Sequence, residues 1–126
     1  MKVLTRIEKK KMMHEADAIL ASIPGYELRL SSYDSPYDYI FITDKGYFSH
    51  IELDRGEHIE KFLGKTYREA VKGIAKSHIQ SVSYEHISHP YSIFFDPDPY
   101  RPSFDNSQYE EMKQFEAYCN SFIDKA

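Results

Sequence analysis

Between Tyr26 and Asp54 the chain runs through three short segments in which apolar and polar residues alternate, separated by two turn signals. In the first, Tyr26–Tyr33, Tyr26, Leu28 and Leu30 alternate with Glu27, Arg29 and Ser31 before Asp34-Ser35-Pro36 breaks the pattern. Tyr37–Thr43 is the second segment, and Asp44-Lys45-Gly46 the second break, with a glycine available for positive φ. In the third, Gly46–Asp54, Tyr47, Ile51 and Leu53 oppose Phe48, His50, Glu52 and Asp54, and Arg55-Gly56 ends the run. A half-buried strand needs a period of two, because successive side chains point to opposite faces. The pattern therefore predicts a three-stranded antiparallel meander over about residues 26–54.

The flanks of the meander read as helices. Thr5-Arg6-Ile7-Glu8 is a capping box, with the hydroxyl and carboxylate placed to satisfy the first orphan N–H groups. The helix it opens is expected to reach Ser22, with Ile7, Met12, Ala16, Ile19, Leu20 and Ile23 on its apolar face and Pro24-Gly25 as its stop. Thr66-Tyr67-Arg68-Glu69 is a second box, and its helix is expected to reach His78 while burying Ala70, Val71, Ile74 and Ala75. Val82–Tyr84 and Tyr91–Phe95 read as short strands, and Asp96-Pro97-Asp98-Pro99 begins a stiff extended loop because proline cannot donate to a ladder. Ser107-Gln108-Tyr109-Glu110 is a third box, followed by an apolar stripe of Met112, Phe115, Cys119 and Phe122. The expected fold is α+β: helix, three-stranded antiparallel meander, helix, one or two further short strands, and a C-terminal helix packed on the sheet. One domain is expected to span residues 1–126.

Composition narrows the class. With 126 residues, 41% hydrophobic and 29% charged, the chain has enough apolar surface for one core. A domain of this size buries roughly two-thirds of its extended-chain surface. The lone cysteine, Cys119, excludes an intramolecular disulfide, and the start Met1-Lys2-Val3-Leu4-Thr5 lacks an apolar leader core, so a cytoplasmic location is expected. No apolar run approaches the roughly 18 residues of a membrane span, so no membrane partner is expected. Against this ordinary background stand 11 Tyr and 8 Phe with no Trp. Tyrosine suits strands, and its apolar ring with a polar tip also suits recognition surfaces.

The first five predicted elements share their order with double-stranded-RNA-binding domains. Gly64-Lys65-Thr66-Tyr67-Arg68-Glu69-Ala70 also resembles the glycine-then-helix joint of HicB-type antitoxin domains. The RNA-binding family clusters lysines at the start of its second helix; here Lys65 and Arg68 remain, with Tyr67 and Glu69 between and beside them. These resemblances imply topology, which does not by itself set function.

Charge is distributed unevenly along the chain. Residues 1–22 carry five basic and three acidic side chains, whereas residues 96–126 carry three basic and seven acidic, within a net charge of −4. Lys65, Arg68, Lys72 and Lys76, with Lys61 before them, fall at helical spacing and form a candidate basic stripe for nucleic-acid phosphates. Such a stripe is more often a solvated helix face, and the overall acidity makes nucleic acid the less expected partner. Acidic and tyrosine side chains instead suggest a protein-binding set of Tyr33, Asp34, Tyr37, Asp38, Asp96, Asp98, Tyr100 and Asp105.

Catalytic and metal signals are thin. Gly64-Lys65-Thr66 lacks the upstream glycine of a phosphate-binding loop, since position 59 is Ile59. His78, His86 and His89 are the candidate metal ligands, short of the three or four ligands that zinc requires. His50, Glu52 and Asp54 share one strand face, as general acid–base residues do and as the wet face of a sheet also does. The sequence therefore points to a non-enzymatic, cofactor-free binding protein, of the type of a phage or mobile-element inhibitor of a host nuclease or defence complex (anti-CRISPR-like in kind). A nucleic-acid-binding module and a histidine/carboxylate hydrolase or metalloprotein are the alternatives. A homodimer, with the basic stripe of one copy on the acidic C-terminal region of another, is compatible with each.

Overall fold

The computed structural model describes residues 1–30, 38–54, 56–86 and 106–126. They form three helices and a four-stranded antiparallel sheet, an α+β fold. In chain order these are β1 (Lys2–Val3), α1 (Arg6–Ala21), β2 (Tyr39–Ile42), β3 (Phe48–Asp54), β4 (Glu57–Gly64), α2 (Tyr67–His86) and α3 (Asn106–Lys125). The sheet order is β1-β2-β3-β4. The antiparallel meander is present, displaced towards the C-terminus by one strand.

The β2–β3 hairpin forms where the alternation places it. Its loop closes through Gly46 N–H donating to Thr43 O at 2.8 Å, with Gly46 at φ 83°. Residues 26–30 carry no strand. Tyr26 turns into the core, Leu28 is exposed, and Leu30 N–H donates to the Asp17 carboxylate on α1 at 2.8 Å. With that backbone donor satisfied by α1, the edge beside β2 is taken by β1, Lys2 opposite Ile42 and Val3 opposite Phe41.

The third strand of the meander is β4, reached through Gly56 at φ 82°. Its period of two is interrupted by an irregularity opposite Phe48/Ser49, where Phe48 pairs with Gly64 and Ser49 with Phe62. Up to Leu63 the alternation is regular, so Leu63 enters the core while Phe62 beside it is 60% exposed on the other face. Lys61, expected on the basic helix stripe, stands on β4 opposite His50.

Helices α1 and α2 start at their expected caps, whereas α3 begins at Asn106, so Ser107 of the expected Ser107-Gln108-Tyr109-Glu110 box lies inside the helix rather than at its cap position. Thr5 and Glu8 form the full reciprocal box, with bonds of 3.0 and 3.1 Å. Thr66 caps Glu69 N–H at 3.2 Å, but the Glu69 carboxylate reaches Lys65 N–H instead of closing the box. Helix α2 continues through Val82–Tyr84 to His86, so the short strand expected there is helical. Ala70, Val71, Ile74, Ala75, Ile79 and Val82 all lie inside, and that continuous stripe rewards further turns of helix. Ile7, expected on the buried face of α1, is exposed; the face begins instead at Lys9 and Met12.

One core joins these layers, from Met12, Leu20 and Ile23 through Ile40 and Leu63 to Val71, Ile79, Phe115, Cys119 and Ile123. Helix α2 lies between α1 and α3 and covers β4. The main neighbours of α3 are α2 and α1 rather than the strands. Burial pushes the Cys119 thiol up to about 11, which removes thiolate reactivity at neutral pH. The expected Tyr91–Phe95 strand and the Asp96-Pro97-Asp98-Pro99 loop lie outside the described residues.

Candidate functional site

Cross-strand pairing sorts the sheet side chains into two faces. Ile40, His50 and Lys61 form a row turned towards the helices, the side on which Ile40 enters the core. Val3, Phe41, Ser49 and Phe62 form a row on the opposite, outer face. A second outer row is Tyr39, Ile51 and Glu60. Tyr47 joins this face by alternation and meets the Phe62 ring edge-on at 5.9 Å. Tyr39 and Phe41 make a second ring pair at 6.0 Å. Lys65 Nζ lies 5.7 Å from the Tyr47 ring centroid, close enough for a cation–π contact.

Here Phe62, Tyr39 and Val3 are exposed, whereas Phe41 and Ser49 are buried beneath their neighbours' level. A groove of about 560 Å³ runs along this face between Thr43, Lys45, Tyr47, Ser49, Glu60 and Phe62. Its rim carries both signs of charge, and Asp44 is already paired with the N-terminal ammonium at 2.6 Å. An aromatic floor with a balanced rim suits an apolar contact more than a phosphate backbone, which needs an excess of cations.

On the helix-facing side lies a polar cluster, buried at His50 and Lys9 and partly exposed at Glu52 and Lys61. His50 is 9% exposed, with Nδ1 at 3.3 Å from Glu52 Oε1. The other Glu52 oxygen accepts from Lys61 Nζ at 3.1 Å. Lys9, 7% exposed on α1, donates to the Asp38 carbonyl at 2.8 Å. Glu52 on Nδ1 selects the tautomer protonated there, so Nε2 presents a lone pair. That nitrogen is solvent-inaccessible and has no hydrogen-bond partner among the described residues. The imidazole and carboxylate expected as acid–base residues are thus together, with the basic nitrogen closed off from solvent.

Burial holds the His50 pKa below its ordinary value of 6.5; Lys9 and Lys61 act in the same direction, and the Glu52 and Asp38 carboxylates oppose them. In a window just below 6.5 the unfolded chain therefore binds more protons than the folded one, and stability falls as pH drops through it. Urea midpoints measured between about pH 7.5 and about pH 5.5 are expected to decrease on acidification. His50→Asn, which keeps an N–H donor towards Glu52 but cannot titrate, is expected to flatten that slope.

The remaining sequence candidates separate. On α2, Lys72 Nζ donates to Asp124 O at 3.0 Å and Lys76 Nζ pairs with Asp124 Oδ1 at 2.5 Å, so half of the basic stripe ties α2 to α3. Lys65 and Arg68 remain exposed at the helix start. The His78 Nε2 lies 2.7 Å from the Tyr26 hydroxyl, inside the packing between α2 and the chain after α1. His86 is the last residue of α2. Among the described residues no group of three or more His, Cys, Asp or Glu side chains could hold a metal ion. Asp38 lies just before β2 beside Lys9. Tyr33, Asp34, Tyr37, Asp96, Asp98, Tyr100, Asp105 and His89 lie outside the described residues. No described helix is long and apolar enough to cross a membrane.

Sequence reasoning missed Phe62, because β4 turns a lysine, Lys61, inward and a phenylalanine, Phe62, outward, so its polarity does not alternate with its faces. Comparison with protein-family models, curated proteins and solved structures finds no match.

Proposed function

We propose that the protein is a non-enzymatic binding protein that masks a larger protein partner with the outer face of its sheet. The supporting observation is Phe62, a phenylalanine 60% exposed on a strand, edge-on to Tyr47 and lining a groove. An aromatic ring held in place loses little freedom on binding, which is why such side chains dominate interface energetics. The protein's net charge of −4 and the seven acidic residues between 96 and 126 favour a partner with a basic surface. Proteins that handle nucleic acid present such surfaces. A phage or mobile-element inhibitor of a host nuclease or defence complex is the role of this type, and the lysines already bound to Asp124 weigh against direct nucleic-acid binding.

The test is capture of host proteins on the immobilised chain, with identification of the captured protein and an assay of its nuclease activity. Inhibition that disappears with Phe62→Ser is expected, because an interface anchor is worth on the order of 2 kcal/mol or more. The variant should keep its thermal midpoint, since an exposed ring contributes little to folding. Binding unchanged by Phe62→Ser would sink the outer face as the contact surface.

A further inference from the structure

Phe62 also walls a second depression. At the edge of β4 lies a pocket of about 320 Å³ lined by Phe62 together with Leu63, Lys76, Gln80, Glu116 and Asn120. Its α2 wall is Gly73, Lys76, Ser77 and Gln80, at spacings of three and four that share one helix face. Its α3 wall is Glu116 and Asn120, one turn apart. The pocket and the outer-face groove therefore meet at a single side chain.

The chemistry of the walls is that of unmet acceptors. Asn120 Oδ1 is buried with no hydrogen-bond partner among the described residues. Glu116 Oε1 accepts from Ser83 Oγ at 2.6 Å, and its other oxygen has no partner among the described residues. Lys76 adds a positive charge at the rim, but it pairs with Asp124 at 2.5 Å, and Glu116 has no ion pair among the described residues. A buried acceptor without a donor is costly, and a half-used carboxylate beside it calls for a cation with several donors. Ammonium is compact and strongly hydrated. Guanidinium is planar, carries five N–H donors in a fixed fork, and stacks on aromatic faces. Phe62 supplies the face, and Glu116 with Asn120 the acceptors.

We propose that this pocket receives an arginine side chain of the basic partner, its guanidinium between Phe62 and the Glu116/Asn120 acceptors. The assignment rests on the outer-face reading above and gives it a chemical anchor, with the rest of the partner lying across the Tyr47 and Tyr39 side of Phe62.

The experiment uses the full ¹⁵N-labelled chain titrated with N-acetyl-arginine amide, N-acetyl-lysine amide and N-acetyl-leucine amide. The arginine probe is expected to shift the backbone resonances of Ser77, Gln80, Glu116 and Asn120 saturably, with millimolar affinity. Glu116→Gln, which still accepts from Ser83, should weaken this at least about fivefold by removing the charge-assisted bond. Asn120→Asp should strengthen it. Absence of these shifts, an equal response to the lysine or leucine probe, or indifference to Glu116→Gln would overturn the guanidinium site. Partner capture separates the two proposals. Loss with both Phe62→Ser and Glu116→Gln supports both. Loss with Phe62→Ser alone overturns the arginine anchor and leaves the outer face standing. Retention in both variants overturns the outer-face reading as well.

Discussion

Phe115→Ala is expected to destabilise the protein by about 3–5 kcal/mol, a shift on the order of 10–20 °C in the thermal midpoint. The ring is 2% exposed and lies 6.2 Å from Tyr26, the residue that closes the chain after α1 against α2. Truncation removes the transfer free energy of the ring and leaves a cavity between three segments that cannot all relax into it. Against a total stability of about 5–15 kcal/mol, the loss is large enough to be read directly in a urea melt. The exposed Phe62 provides the internal control, since its truncation opens no cavity. Equal midpoints for wild type and Phe115→Ala would mean that α3 is not part of the cooperative core.

Gly73→Ala is expected to cost about 2–3 kcal/mol net, although alanine favours a helix over glycine by about 1 kcal/mol. A Cβ at position 73 would stand 2.3 Å from Leu63 O and 3.0 Å from its carbonyl carbon. Both atoms are β4 backbone, so relief requires α2 to lift from the sheet, which would strip contacts along its whole buried stripe. Gly46→Ala makes the contrast. Nothing lies within 4 Å of a Cβ there, and only the φ of 83° is strained. That substitution should cost about 1–2 kcal/mol through conformation alone. Circular dichroism melts of the two variants would separate close packing from backbone strain, and a neutral Gly73→Ala would contradict the α2–β4 contact.

The polar interior was only partly legible. His50, Glu52 and their shared face can be read from alternation, but a wet sheet face and a buried cluster have the same one-dimensional pattern. Lys9 shows why. A lysine between Glu8 and Lys10 reads as solvated helix, yet it is enclosed because its ammonium reaches the Asp38 carbonyl beyond the apolar stripe. Lys61 likewise reads as the first residue of a helical stripe and is in fact a strand residue paired with Glu52. The Asn120 and Glu116 acceptors cannot be recognised without knowing that they face Gln80 and Phe62 across two other elements.

By itself the sequence determined the features whose signals are local. Thr5 and Glu8 start α1, Pro24-Gly25 follows its end, Gly46 turns the β2–β3 hairpin, and the spacing of Phe115 and Cys119 orients α3. Each depends on residues within a turn or two of one another. Only the tertiary structure decided which segment joins the sheet. Residues 26–30 alternate as a strand should, but α1 offers Leu30 N–H a carboxylate and the core takes Tyr26, so β1 pairs with β2 in their place. β4 alternates regularly from Glu57 to Leu63, but it turns polar Lys61 towards the helices and apolar Phe62 outward, so polarity along the strand does not reveal its faces. Strand pairing is a competition among distant partners for the same backbone groups, and its outcome depends on what the rest of the fold already satisfies.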